Sequence, residues 1–169
     1  RRFFARDYGF EHRRAMAKTA DGFDRAAWAT FAEFGILALP FPEDFGGLNG
    51  NAVDSMLVME MLGRGLALEP YLPSVVLCGG LIRDAGSAAQ KEALLPAIAG
   101  GELMLAFAHN EAGGRYALDH VATKATPASG GWKLDGAKAV VLAAPSAGKF
   151  IVSAREGLGL SLFLVDAGA

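Results

Sequence analysis

The sequence is poorest in the residues that carry generic chemistry. It holds one cysteine, Cys78, among 169 residues, so no internal disulfide can staple the chain. The apolar neighbours Val76, Leu77 and Leu81 mark that thiol as buried and structural rather than nucleophilic. None of the three histidines, His12, His109 and His120, stands at metal-ligand spacing, so no metal site is expected. The loops G-x-G-x-x-G and G-x-x-x-x-G-K-[ST] are missing, as are H-E-x-x-H, C-x-x-C and G-x-S-x-G. Sixteen Lys and Arg against eighteen Asp and Glu give a formal charge of −2. Without a basic surplus, nucleic acid is not an expected partner. No apolar run reaches the roughly 20 residues of a membrane span. Residues 1–14 are charged throughout and lack a signal-peptide apolar region. The cytoplasm is the expected compartment.

What is present is a core. Apolar residues make up 52% and charged ones 20%, a balance that supports packed structure rather than a disordered tail. Helices fill the first part. Asp24 can cap a helix carrying Trp28, Phe31 and Ala32, with Gly35 placed to end it. Pro40 and Pro42 bar a long helix from the apolar stretch 36–41, and 43–50 is a glycine-rich turn. Asn51 opens a helix to about Leu66, expected to be buried on more than one side because Met59, Met61 and Leu62 join Val53, Met56 and Leu57. An apolar segment, 70–85, can pack under it. Ser87 with Gln90 has capping-box spacing, and Pro96 is expected to split the helix that follows or to start a new turn.

After Gly101 the pattern becomes strand-like: 103–108, then a turn at 127–131, a strand over 132–142 with a tight turn at Asp135-Gly136, and two runs at 150–154 and 160–165. Helices first and strands second predict an α+β chain, with a helical domain over 1–102 and a β domain over 103–169. On residues alone, Phe107 and Val140 to Leu142 read as strand core, Glu60 as half of a structural pair, and Glu111 as a group that orients its loop. His12 reads as solvated and His120 as lying on a loop or strand edge.

Five segments, in order, resemble the acyl-CoA dehydrogenase family: FGILALPFPEDFGGLNG, VDSMLVMEMLGRG, SAAQKEALLPAIAGGELMLAFAHNEAGG, WKLDGAKAVVLAAPSAGKFIVSAR and LSLFLVD. The third is the strongest. GRGLALEPYL and GAKAVVLAAPSA look closest to the pimeloyl-CoA dehydrogenase small-subunit type. The resemblance implies a helical amino-terminal domain followed by a β-sheet or barrel-like middle domain, the latter incomplete here, with the family's carboxy-terminal helical bundle absent. It implies FAD as cofactor, an acyl-CoA substrate desaturated between Cα and Cβ, an electron-transfer flavoprotein or similar acceptor, and a homo- or hetero-oligomer. In that reaction a carboxylate removes the α proton and the β hydrogen leaves as hydride to the flavin. The catalytic base is expected in the carboxy-terminal part, so the 169 residues alone are expected to be inactive. The resemblance also implies a longer excursion around Arg155–Gly157 than this chain has.

Carried over by position, Phe107, Ala108, His109 and Asn110 match the strand end against the flavin, and Val140, Val141 and Leu142 match a Trp-Ile-Thr stretch packed on it. Here the tryptophan is valine and the threonine leucine, so a stacking ring and a hydroxyl are missing. Asn110 stands where a threonine is usual and can still donate. Arg115 falls near the pyrophosphate and CoA; it reads equally as a phosphate partner or as a solvated loop arginine. The altered positions keep a second reading open, a non-catalytic partner subunit that has lost its flavin.

Overall fold

The computed structural model describes residues 2–169; Arg1, first of the charged opening residues, lies outside them. The chain is α+β: helices come first and a mixed sheet follows. It divides into two units, one ending at Met104 and one spanning Leu105–Ala169.

In the first unit the helices are α1 (Arg2–Arg6), α2 (Phe10–Met16), α3 (Arg25–Glu33), α4 (Ala52–Arg64), α5 (Gly80–Ala85) and α6 (Ala88–Ala99). Local chemistry sets their ends. Asp24 accepts from the Ala26 N–H to start α3, and Gly35 leaves it at φ +71°, a left-handed exit that a side chain would oppose. Asn51 with Asp54, and Ser87 with Gln90, form complete capping boxes on α4 and α6. The apolar segment after Pro70 forms a π-helix, Tyr71–Gly79, that runs straight into α5. Its residues Tyr71, Val75 and Cys78 join Phe31, Leu37, Phe41, Leu95 and Ile98 in a core with almost no solvent exposure. Gly79 is required there, because a Cβ would come within 2.5 Å of the Phe41 ring.

Two helical expectations need correction. Pro96 does not split α6, which runs unbroken to Ala99. Pro96 and Glu92 are both exposed, so water can satisfy the Glu92 carbonyl that the proline cannot. Nor is α4 buried on several sides. Only Leu62 is fully buried, while Val53, Met56 and Leu57 are 58%, 57% and 50% exposed. Its inward side closes an apolar groove of about 530 Å³ with Phe31 and Phe34.

A polar knot ties the start of this unit together. The Tyr8 hydroxyl donates to Glu69 Oε1 at 3.0 Å and accepts from the Leu68 N–H at 3.1 Å. The same carboxylate oxygen accepts from the Asp24 N–H at 3.3 Å, and Asp24 holds His12 Nε2 at 2.7 Å. His12 is therefore half of a pair rather than simply solvated. Glu69 Oε2 is buried with no partner among the described residues. Burial raises the Glu69 pKa and pushes the Tyr8 hydroxyl up to about 12.

The second unit is a five-stranded sheet: β1 (Leu105–Ala108), β2 (Lys124–Ala128), β3 (Gly131–Asp135), β4 (Lys149–Glu156) and β5 (Gly159–Asp166). β4 is the hub. Along one edge it pairs antiparallel with β5 over its whole length; along the other it meets β1 in parallel over Lys149–Val152, then β2 in parallel at Arg155. β2 and β3 form a hairpin. The turn there is tighter than expected, since Pro127 and Ala128 still belong to β2. A proline is tolerated because β2 touches β4 only at Lys124. The strand expected over 132–142 ends at Asp135. Beyond it Gly136 lies against Thr123, so closely that a Cβ would fall 2.5 Å from Oγ1, and Val140 and Ala143 take left-handed φ of 52° and 60°. That conformation cannot continue a ladder. A short turn at Gly157-Leu158, with Gly157 at φ +60°, joins β4 to β5.

Replacing Tyr8 by Phe leaves the Leu68 N–H without its acceptor and removes a donor from Glu69. The urea midpoint of unfolding should fall by the equivalent of about 1–3 kcal/mol. The pH dependence has a definite sign. Because folding raises the Glu69 pKa above 4.5, its contribution is complete below about that pH and is lost as pH rises through the native value. Glu69→Gln should flatten this part of the stability profile; an unchanged profile would exclude Glu69 as its source.

Candidate functional site

The two segments singled out in sequence, 107–110 and 140–142, are joined in the second unit. The Ala139 N–H donates to the Asn110 carbonyl at 2.8 Å, and Lys138 Nζ donates to the His109 carbonyl at 3.3 Å. The acceptors are two of the expected residues, and the donors immediately precede 140–142. Phe107 on β1 and His109, one residue past its end, fall on the same side, as residues two apart on extended chain do. Their rings stack at 5.2 Å and 15°. Ala108 points to the opposite face and is buried.

The strand-core reading of Val140 to Leu142 does not hold. Val140 is 80% and Leu142 53% exposed, and Val141 is half-buried. A β-branched residue at positive φ is strained. Here the strained backbone sets apolar side chains on the surface beside Asn110, which is also exposed. Arg115 sits apart on an exposed loop at φ +47°.

Glu111 organises this region. Its carboxylate accepts from the Ala122 N–H (2.7 Å), the Thr123 N–H (3.0 Å), the Thr123 hydroxyl (2.6 Å) and Lys138 Nζ (2.7 Å). The two side chains of the ion pair are 9% and 7% exposed. Burial alone would raise the Glu111 pKa, but Lys138, Thr123 and the two backbone donors outweigh it and hold the carboxyl well below the ordinary carboxylate range. The loop-orienting role expected of Glu111 is thus its observed geometry, and so committed a carboxylate is not free to act as a base. Glu60, the other candidate, pairs with Arg64 at 2.6 Å on the exposed side of α4.

Lys138, Thr123 and Ser153 were not legible as site residues. Ser153 is fully buried on β4, accepts from Lys138 Nζ at 3.0 Å and meets His109 Nδ1 at 3.0 Å. The available signal was that a carboxylate ahead of a glycine-rich loop needs a cation, and Lys138 opens the next apolar stretch.

The amino-terminal domain model of the acyl-CoA dehydrogenases matches residues 1–102. The chain belongs to the acyl-CoA dehydrogenase family. Acyl-CoA dehydrogenase FadE27 of Mycobacterium tuberculosis is 31% identical over 159 residues, covering 94% of this chain and 41% of the relative. Isovaleryl-CoA dehydrogenase of Arabidopsis thaliana is 30% identical, covering 98% and 42%. Among solved structures, the ChsE4-ChsE5 complex from Mycobacterium tuberculosis aligns at a TM-score of 0.84 and 32% identity over 94% of this chain and 42% of that one. A variant of the Tcur3481-Tcur3483 steroid ACAD aligns at 0.89 and 31% over 98% and 45%. The chain therefore spans less than half the length of these acyl-CoA dehydrogenase relatives. Among the described residues, no helix is long and apolar enough to cross a membrane, and no cluster of His, Cys, Asp and Glu could hold a metal.

Lys138→Met should strand the buried Glu111 carboxylate and cost about 3–5 kcal/mol, read as a lower denaturation midpoint by Trp132 fluorescence. The sign for acid is opposite to that for Glu69. Folding lowers the Glu111 pKa below 4.5, so its contribution is complete above about that pH and is lost as pH falls toward the native value. Glu111→Gln should make this unit weaker at neutral pH and its acid response shallower.

Proposed function

We propose that this chain is the amino-terminal part of an FAD-dependent acyl-CoA dehydrogenase that desaturates an acyl-CoA between Cα and Cβ. The observation that supports the reading is the meeting of 107–110 with 138–142. It brings an aromatic pair, an exposed amide and exposed apolar residues into one region of the second unit. Those residues suit a flavin: Val140 and Leu142 offer apolar surface to a ring, Asn110 a donor or acceptor to its edge, and Phe107 with His109 a stacked base beneath. FAD, when bound, supplies the hydride acceptor. The protein's part is to hold the ring, keep water from it and orient the thioester. Glu111, fully engaged, positions the loop, and the proton-abstracting carboxylate is assigned to another segment of the complete protein. By the same reading residues 1–102 form the helical domain and 103–169 an incomplete middle domain. The complete protein is cytoplasmic and oligomeric and passes electrons to an electron-transfer flavoprotein or similar acceptor. A PigA structure with FAD, 26% identical at a TM-score of 0.84, is in line with the cofactor. The likeness of GRGLALEPYL to the pimeloyl type suggests a dicarboxylyl-CoA substrate.

A second reading has its own support. One similar structure is the ChsE4-ChsE5 complex, and the ring and hydroxyl expected at positions 140 and 142 are replaced by valine and leucine. In that reading the chain is a non-catalytic subunit of a heteromeric dehydrogenase.

The full-length protein should be yellow and should bleach when an acyl-CoA is added without oxygen. A colourless protein that takes up no added FAD would exclude the enzyme reading for this chain. Residues 1–169 alone should bind FAD weakly; tight stoichiometric uptake would contradict the assignment of further pocket walls to other segments. Arg115 meets no ion-pair partner among the described residues, so it is free to meet a phosphate. Arg115→Ala should weaken acyl-CoA binding roughly tenfold by calorimetry; unchanged affinity and unchanged FAD retention would return it to a solvated loop arginine.

A further inference from the structure

The hydrogen-bond inventory around Lys138 leaves His109 with one consistent protonation pattern. An ammonium has three donors and no acceptor. Lys138 Nζ has three acceptors in reach: the His109 carbonyl at 3.3 Å, Glu111 Oε1 at 2.7 Å and Ser153 Oγ at 3.0 Å. Ser153 Oγ is therefore an acceptor toward Lys138. Its single proton has one remaining destination, His109 Nδ1 at 3.0 Å. The ring nitrogen that accepts this proton cannot carry its own, so the neutral imidazole bears its hydrogen on Nε2. Were the hydrogen on Nδ1, both it and Lys138 would point at the same oxygen, and the hydroxyl proton of a fully buried serine would have no acceptor. The ring cannot rotate out of this arrangement freely, because it is stacked on Phe107. Register explains why the partners meet. Phe107 pairs with Ile151 in the parallel β1–β4 ladder, so the next positions on that face, His109 and Ser153, are neighbours.

Nε2, by contrast, has no hydrogen-bond partner among the described residues of this unit. It lies at the strand end where the flavin is proposed.

We infer that Lys138 and Ser153 are positioning residues that hold His109 as the Nε2–H tautomer, so that its ring offers a fixed hydrogen-bond donor to an acceptor atom of the flavin. The inference rests on the flavin reading for its ligand, but not for the tautomer. Glu111 enters indirectly, by holding Lys138 in place. The arrangement gives the site a directional donor.

The test is a long-range proton–nitrogen correlation spectrum of the full-length protein labelled with nitrogen-15 histidine, recorded where imidazoles are neutral. His109 is assigned by the loss of its signals in His109→Phe. The expected result is a pyridine-type Nδ1 and a pyrrole-type Nε2. Ser153→Ala should replace the single pattern by a mixture, and Ser153→Thr, which keeps a hydroxyl, should retain it. A wild-type protein with the hydrogen on Nδ1, or with both tautomers present, overturns the inference whatever the variants do. The ligand half is read separately as the FAD dissociation constant. His109→Phe keeps a stacked ring but removes the donor and should raise it roughly three- to tenfold; an unchanged constant overturns the donor role. A yellow protein with the wrong tautomer defeats this inference and leaves the flavin reading intact. A colourless protein with the expected tautomer defeats the flavin reading and, with it, flavin as the acceptor, while the Lys138–Ser153 relay stands.

Discussion

A sheet whose central strand is flanked on one edge by two successive strands has a gap in its ladder where the first stops and the second starts. Backbone groups beside that gap lack a ladder partner and need another one. Between β1 and β2 that other partner is Glu111. Its carboxylate takes the N–H groups of Ala122 and Thr123 as a neighbouring strand would. A carboxylate is a better acceptor than a carbonyl, but its charge cannot be buried alone. Lys138 follows as a requirement, and the path of residues 136–142 follows from Lys138. The chain must leave β3 early to bring the ammonium inward. This accounts for the end of the strand at Asp135 and for the left-handed turn at Val140.

The first unit solves a similar problem with the opposite charge logic. Glu69 also gathers separated segments, through Tyr8 and the Asp24 N–H, but among the described residues it forms no ion pair with a lysine or arginine. Desolvation therefore dominates and the carboxyl tends toward its neutral form, whereas at Glu111 hydrogen bonds and Lys138 dominate and keep the charge. These two carboxylates thus respond to acid in opposite directions.

What was legible in the sequence was what is local. The caps at Asp24, Asn51 and Ser87 act within three residues of themselves, and each is where the pattern put it. Helices first and strands second was legible for the same reason, since periodicity is a short-range property. Errors arose where distant partners decide. The apolar surround of α4 promised burial, but composition does not say which atoms of the molecule supply the cover. The run 132–142 has strand-forming residues, yet Lys138 is claimed by Glu111 and Ser153 from other strands. Local preference gave way to a buried charge. Ser153 was invisible because nothing around it in sequence distinguishes a buried relay from an ordinary strand serine.

The resemblance raised a difficulty at positions 140 and 142, where an aromatic ring and a hydroxyl give way to aliphatic side chains. Taken one position at a time, these replacements argue against a flavin. Taken with the neighbouring strand, they argue less. The phenyl–imidazole stack of Phe107 and His109 supplies aromatic surface from β1, and the Lys138–Ser153 relay equips that imidazole with a directed donor. Ring and donor are both still present within the region that Ala139 and Asn110 tie together; they stand on the other segment. A site should therefore be judged by the groups its surface presents rather than by the residue at each matched position, because a ligand meets donors and apolar area without regard to which strand they come from.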